Sequence, residues 1–264
     1  MRAVALALYR VRGLLYYVAA AILISSALLG FLFPVEVRRV LGVVAIVVVA
    51  LCLALIVLGP RLLPERSPTP VMPPVRGRWL AANSPASAVP SHGVRMYGQA
   101  YAIDLVYDPT DAERPTSRAM NPPDAYPAFG RPVYSMVDGV VVSASGWRRD
   151  HRSRSTALAM LYLMAEGAIR EIGGPGFIIG NHVTVRSGDG IFATVAHLQR
   201  GSLTVKVGDT VEKGDQLGLC GNSGNSTEPH VHAQLMDRRS PWTAQGLPFE
   251  LTKGVPVNGE HLEA

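Results

Sequence analysis

The sequence predicts a mainly β domain carried behind two membrane-spanning helices, and three observations predict it. The first sixty residues hold two long runs without a charged side chain. A proline-rich stretch follows them. From about residue 75, short apolar runs alternate with turns rich in Gly, Asn and Asp, the pattern of many short strands in an open antiparallel sheet, barrel or sandwich.

The apolar runs set the spans at about residues 14–33 and 40–59, each close to the ~20 residues that cross a hydrocarbon core as a helix. Pro34 and the pair Arg38 and Arg39 separate them, so residues 1–59 read as a transmembrane helical hairpin. A cleaved signal peptide is the alternative for the first run, but it is long for a signal core and a second run follows at once. A soluble helix pair would need a polar face, and neither run offers one. Arginines flank both ends of the hairpin, and their count leans towards cytoplasmic termini.

Residues 60–74 contain six prolines and read as an extended linker. Residues 75–248 are expected to form the β domain, with residues 249–264 as a C-terminal tail. Candidate strands lie at 78–82, 100–106, 132–143, 176–186, 190–197, 203–205, 216–221 and 230–236. One helical insertion is expected at about 145–175. Its core, residues 155–172, lacks proline, is rich in helix formers and has Ser155 or Thr156 as a cap. This helix reads either as packed on the sheet or as a lid or membrane-surface element.

The net charge of +5 divides unevenly along the chain. Residues 1–80 carry nine Arg against Glu36 and Glu65, a net of +7, and the remainder carries −2. The basic character belongs to the membrane segment, whose partner is the lipid bilayer, and a nucleic-acid partner has no support. The two cysteines, Cys52 and Cys220, lie in an apolar run and a Gly-rich stretch, which offers neither a disulfide framework nor a Cys-based metal site.

Chemistry concentrates near the C-terminus. His230 and His232 form His-Val-His on an expected strand, where residues two apart share a face. His197 ends the strand IFATVAH, and alternation places it on the side of Val195 and Ala193. Asp104 sits among apolar residues in AYAIDL, where a carboxylate needs a partner or a metal. Two imidazoles, a carboxylate and water make an open zinc set for hydrolysis. His182 reads as a structural strand residue, and His151 and His261 as solvated.

Residues 132–143 (PVYSMVDGVVVS), 180–198 (GNHVTVRSGDGIFATVAHL) and 203–236, the last containing the specific string GNSGNSTEPHVH, carry a resemblance. In that order they resemble the core of the lysostaphin-like zinc endopeptidases, which cleave peptidoglycan peptides. The likeness covers roughly residues 90–240. It implies an open antiparallel sheet with one zinc ion in a groove. Asp104 and His232 would be zinc ligands. His197 and His230 would be catalytic, positioning and deprotonating the attacking water and stabilising the tetrahedral oxyanion. The family's first zinc His stands four residues before the Asp, and here that position is Ala100. His92 is the nearest upstream histidine, and Gly93 and Gly98 let a loop fold back to supply it.

The resemblance thus implies a zinc metallo-endopeptidase on a bacterial cell membrane, with its domain outside and peptidoglycan peptides as substrate. The missing His at position 100 motivates the alternative, a degenerate protein that binds the wall or activates another hydrolase. A biotinyl- or lipoyl-carrier reading of VKVGDTVEKGDQLG lacks the required hairpin lysine.

Overall fold

The computed structural model describes residues 2–110, 115, 120–154 and 156–264. The chain divides into two compact units, Met1–Arg66 and Ser67–Ala264.

The first unit is helical. Helix α1 (Arg2–Leu29) ends in a 3-10 turn, Pro34 caps α2 (Val35–Leu58), and a second 3-10 turn, Gly59–Leu62, closes the unit. Pro34 lacks a backbone N–H and has an extended ψ of 146°, so it stops one helix and starts the next. The segments Arg2–Leu32 and Val35–Leu62 are both long and apolar enough to cross a membrane. They are candidate membrane spans by length and composition. At Gly59 the turn lies against the Tyr9 ring, which a Cβ would meet at 2.0 Å. Only glycine fits there.

The second unit is built from short strands. In chain order they are β1 (Thr69–Val71), β2 (Arg78–Ala82), β3 (Ile103–Tyr107), β4 (Pro132–Tyr134), β5 (Gly139–Ser145), β6 (His182–Arg186), β7 (Phe192–Ala196), β8 (Thr210–Val211), β9 (Gln216–Leu219), β10 (Val231–Met236), β11 (Gly246–Leu247), β12 (Phe249–Leu251) and β13 (His261–Glu263). Nine of them form one sheet in the order β13-β2-β3-β10-β7-β6-β5-β8, with β11 added beside β10. Every pairing in that sheet is antiparallel. The mainly β reading of the sequence therefore holds. Trp79, Ile103, Leu105, Val183, Val195 and Leu235 alternate inward from five of these strands into one apolar core.

Several local expectations change. The stretch read as linker contains β1, which pairs in parallel with β12 from the stretch at 249–264. That terminal stretch also supplies β13, paired with β2. The run 132–143 divides into β4 and β5, because Ser135 to Asp138 turn between them. The run 176–186 opens as a short helix, α4 (Pro175–Ile179), since Pro175 takes its first position, where a missing N–H costs nothing. Residues 203–205 join no strand.

The insertion holds helix α3 (Ala157–Ile172). Thr156 caps it, its Oγ1 accepting from the Ala159 N–H at 3.2 Å. Ser155, the other candidate cap, lies outside the described residues.

Candidate metal centre and active-site cleft

The sheet order places β10 between β3 and β7, and this places the chemistry. In the register of these strands His232 stands opposite Asp104 on one side and Ala196 on the other. Cross-strand partners share a face. Asp104 and His232 therefore project together, with His232 Nδ1 2.9 Å from Asp104 Oδ1. His230 precedes β10 by one residue and brings Nε2 to 3.5 Å from the same oxygen.

His197 reaches the cluster by a different route. The alternation read from the sequence puts it with Val195 and Ala193, and both of those lie in the core. The structure corrects this. His197 follows the last residue of β7 with φ at +60°, a left-handed conformation uncommon for a non-glycine residue. The reversal carries its ring to the other face, with centroids 4.8 Å from His230 and 5.7 Å from His232.

His92 comes from a loop. The Ser91 N–H donates to the Ala100 carbonyl at 3.0 Å, closing residues 91–100 on themselves. Tyr97 and Gly98 inside that loop both have positive φ, +59° and +74°. A Cβ at Gly98 would also stand 2.6 Å from Met236 Cγ, so glycine is required twice over. The doubled-back loop sets His92 Nε2 3.1 Å from Asp104 Oδ2. Ala100, where the family pattern has histidine, lies buried at the loop's base.

One nitrogen of each imidazole is tied to an acceptor. His197 Nδ1 donates to the Ser223 carbonyl at 2.8 Å, and His230 Nδ1 to the Glu228 carbonyl at 2.7 Å. His232 Nε2 faces Gln234 Oε1 at 2.8 Å. Gln234 Nε2 in turn donates to the Tyr97 carbonyl at 2.9 Å, which fixes the amide so that its oxygen accepts from His232. Ser91 Oγ donates to the Gln99 carbonyl, so His92 Nδ1 is the donor in its 3.0 Å contact with that hydroxyl. These acceptors assign the tautomers. The remaining ring nitrogens, His92 Nε2, His197 Nε2, His230 Nε2 and His232 Nδ1, face into the cluster.

The charge balance follows from burial and neighbours. Burial pushes the Asp104 carboxyl up, but His230 and His92, with hydrogen bonds from His230 and His232, override it and hold the group well below the usual carboxylate range. Asn83 Nδ2 donates to Asp104 Oδ2 at 2.8 Å, a further hydrogen bond to the carboxylate. His197 goes the other way. Burial, then His230 and His232, push it well below the ordinary imidazole value, against the opposing pull of Asp104. His230 is pushed down by burial but more strongly raised by Asp104 and the Glu228 carbonyl, so its net shift is upward. One cluster thus holds an anion, an imidazole kept neutral and an imidazole inclined to hold a proton.

His92, Asp104 and His232 each offer a donor atom, and these atoms lie within 4.8 Å of one another. Two imidazoles and a carboxylate are a donor set suited to zinc, whose tetrahedral sites with bonds of about 2 Å space donors a little over 3 Å apart. The donor types fit, and the approaches of His232 and His92 to Asp104, at 2.9 and 3.1 Å, come close to that spacing. The cluster opens into a cleft of about 540 Å³. Its walls include Asn83, Tyr97, Leu163, Met164 and Glu171, so α3 forms one side.

All five residues singled out from the sequence, His92, Asp104, His197, His230 and His232, line this cleft. The supporting groups Asn83, Ser91 and Gln234 escaped sequence reading. Gln234 carried a signal, because it is two residues beyond His232 on the same strand face. His151 is corrected: it is buried, with Nε2 2.9 Å from the Gly224 carbonyl, where the sequence suggested solvent. His261 pairs with Asp108 at 2.7 Å. His182 is a buried strand residue hydrogen-bonded to Ser143 and Gly180.

Residues 124–244 match the sequence model of Peptidase family M23. Among curated relatives, the peptidoglycan DD-endopeptidase ShyA of Vibrio cholerae is 28% identical over 158 residues, 59% of this chain and 30% of that protein. The glycyl-glycine endopeptidase ALE-1 of Staphylococcus capitis is 36% identical over 98 residues, covering 36% of this chain and 26% of that protein. Lysostaphin of Staphylococcus simulans is 36% identical over 99 residues, covering 36% of this chain and 20% of its own length. The chain therefore spans less than a third of the length of these relatives. Among solved structures, the catalytic domain of Staphylococcus simulans lysostaphin aligns at 24% identity with a TM-score of 0.33, covering 55% of this chain and 74% of that one. The stretch that carries His197, His230 and His232 thus falls within the match to Peptidase family M23.

Proposed function

We propose that the chain is a membrane-anchored zinc metallo-endopeptidase that hydrolyses peptide bonds of peptidoglycan, with its β domain on the extracytoplasmic side. The observation that carries this reading is the convergence of His92, Asp104 and His232 on one point, beside His197 and His230 in an open cleft. In this reading His92, Asp104 and His232 hold one zinc ion. When bound, zinc supplies a Lewis acid that polarises a peptide carbonyl and acidifies water.

The chain's own residues do the rest. His197, kept neutral by burial and the neighbouring imidazoles, takes a proton from the attacking water at Nε2. Its Nδ1–H on the Ser223 carbonyl keeps Nε2 as the basic nitrogen. His230, raised by Asp104, donates from Nε2 towards the oxyanion that forms on the substrate carbonyl. The C–N bond breaks as the proton passes from His197 to the leaving amine. Domain placement outside the membrane follows from this wall-directed chemistry, and outweighs the modest lean of the arginine count because large domains translocate regardless of flanking charge.

The degenerate-binder reading draws its force from Ala100, and the approach of His92 Nε2 to Asp104 Oδ2 at 3.1 Å supports the active reading instead. Purified full-length protein in detergent tests the proposal. Stoichiometric zinc, release of peptide fragments from isolated peptidoglycan, and loss of that release with a chelator and its return with zinc are expected. Metal-free protein that leaves peptidoglycan intact after zinc is supplied would overturn it.

A further inference from the structure

Helix α3 is amphipathic in the reverse sense. A surface helix ordinarily turns its apolar stripe to the core and its charges to water. In α3 the side chains turned inward are Ala159 and Leu163, with Glu166 and Arg170 beside them. Glu166 accepts from the buried Arg154 guanidinium at 3.0 Å and pairs with Arg170 at 3.4 Å, so the helix spends its charges on the domain. The outward stripe is Leu158, Leu161, Tyr162, Ala165, Ile169 and Ile172, all exposed. These positions recur at spacings of three and four and form one face. Exposure reaches 80% at Leu158, 69% at Ile169 and 84% at Ile172. Tyr162 supplies the stripe's single side-chain polar atom. The helix is 16 residues, about 24 Å long. A face of that size is unfavourable in water.

We infer that the outward face of α3 seats in the interfacial region of an anionic lipid bilayer, holding the domain against the membrane that its own helices cross. Three observations favour lipid over a protein partner. Protein interfaces carry hydrogen-bonding groups among their apolar ones, whereas this stripe has almost none, as hydrocarbon requires. The segment leading into the helix carries exposed Trp147, Arg149 and Arg152, the aromatic and basic types that settle at headgroup depth and attract anionic lipid. The covalent tether is also short. Only residues 63–68 separate the turn after α2 from β1, at most about 20 Å when fully extended. The inference rests on the membrane-anchor part of the proposed function and is independent of the zinc chemistry.

Spin labels on the full-length chain test it. Leu161→Cys, Ile169→Cys, Lys206→Cys and Val47→Cys, each in a Cys52→Ala background whose remaining Cys220 is fully buried from the label, are labelled and reconstituted into vesicles of phosphatidylethanolamine and phosphatidylglycerol. The outward positions 161 and 169 are exposed, so circular dichroism is expected to show an unchanged fold. Labels at 161 and 169 are expected to shift towards oxygen accessibility and away from a water-soluble nickel chelate, while the label at 206 stays water-accessible. The shift is expected to shrink when phosphatidylcholine replaces phosphatidylglycerol. Labels at 161 and 169 as open to the nickel chelate as that at 206 would overturn the inference. So would labels shielded from both reagents, which would mean a second copy or another protein covers the face. The label at 47 reads the anchor separately: lipid-exposed at 47 but not at 161 or 169 defeats only this inference, while water-exposed at 47 defeats the anchor.

Discussion

His232 Nδ1 and Asp104 Oδ1 stand 2.9 Å apart as direct cross-strand neighbours on β10 and β3. Their proximity is set by sheet register, not by loop conformation, so both side chains are held by hydrogen-bonded strands of the central sheet. Asp104→Asn keeps the shape and removes the charge. It is expected to lose bound zinc and to drop peptidoglycan hydrolysis below detection, with an unchanged far-ultraviolet spectrum. Metal analysis of the purified variant is the check, and wild-type zinc content would refute the assigned role.

Gln234 orients His232 without facing the metal position. Gln234→Leu removes the acceptor from His232 Nε2 and the donor to the Tyr97 carbonyl. Zinc affinity is expected to fall about 10–100-fold, the usual effect of losing such a partner. Competition with a fluorescent chelator measures it. Gln234→Glu, which keeps an acceptor oxygen, is expected to recover most of the loss.

His197 is expected to separate metal binding from turnover. His197→Ala leaves His92, Asp104 and His232 in place, so zinc content stays at the wild-type level. Hydrolysis is expected to fall about 10²–10⁴-fold, the usual range for a general base. An active variant would move the base role to His230.

Gly98 tests the loop. Gly98→Ala places a Cβ against Met236 at a position with φ of +74°. The strain of such a placement is on the order of 1–3 kcal/mol. A lower midpoint of thermal unfolding and weaker zinc binding are expected together, because the same loop carries His92.

Acid is expected to weaken the fold through histidines outside the cleft. Burial pushes His182 below the ordinary imidazole value, and His151 likewise. As pH falls below about 6.5, the unfolded chain takes up protons that these folded imidazoles refuse. The unfolded state then binds more protons, so stability rises with pH across this window and is lost progressively as pH falls from about 6.5 towards the depressed values. Thermal unfolding of the detergent-solubilised chain between pH 7.5 and 5 reads this slope. His182→Gln is expected to flatten it.

What was legible in the sequence, and what was not, follows from range. Asp104, His230 and His232 were readable because strand period and a specific local string placed them. The strands bearing the core alternate cleanly, and the two apolar runs need no tertiary context. Alternation alone gives His197 the wrong face because a single left-handed residue reverses it, and no local composition marks a histidine for φ of +60°. The approach of His92 to Asp104 depends on Tyr97 and Gly98 turning together and on Ser91 bonding Ala100, a closure that spacing alone leaves open. β1, β12 and β13 are three residues each, too short for a period to show, and exist because a distant partner completes them. His151 looked solvated among arginines, yet carbonyl acceptors from the turn before β10 draw it inside.

The strand β13 has a consequence for how the domain is cut. It pairs with β2, β2 pairs with β3, and β3 holds Asp104. Residues 261–263 thus brace, through β2, the strand that carries Asp104 of the candidate metal centre, and His92 and Asp104 both precede residue 124, where the family match begins. A gene fragment trimmed to residues 124–244 would encode His197, His230 and His232 but neither His92 nor Asp104 of the candidate metal centre. Trimming to the family boundary would remove the site, and a tag fused after Ala264 would load the edge of its supporting sheet.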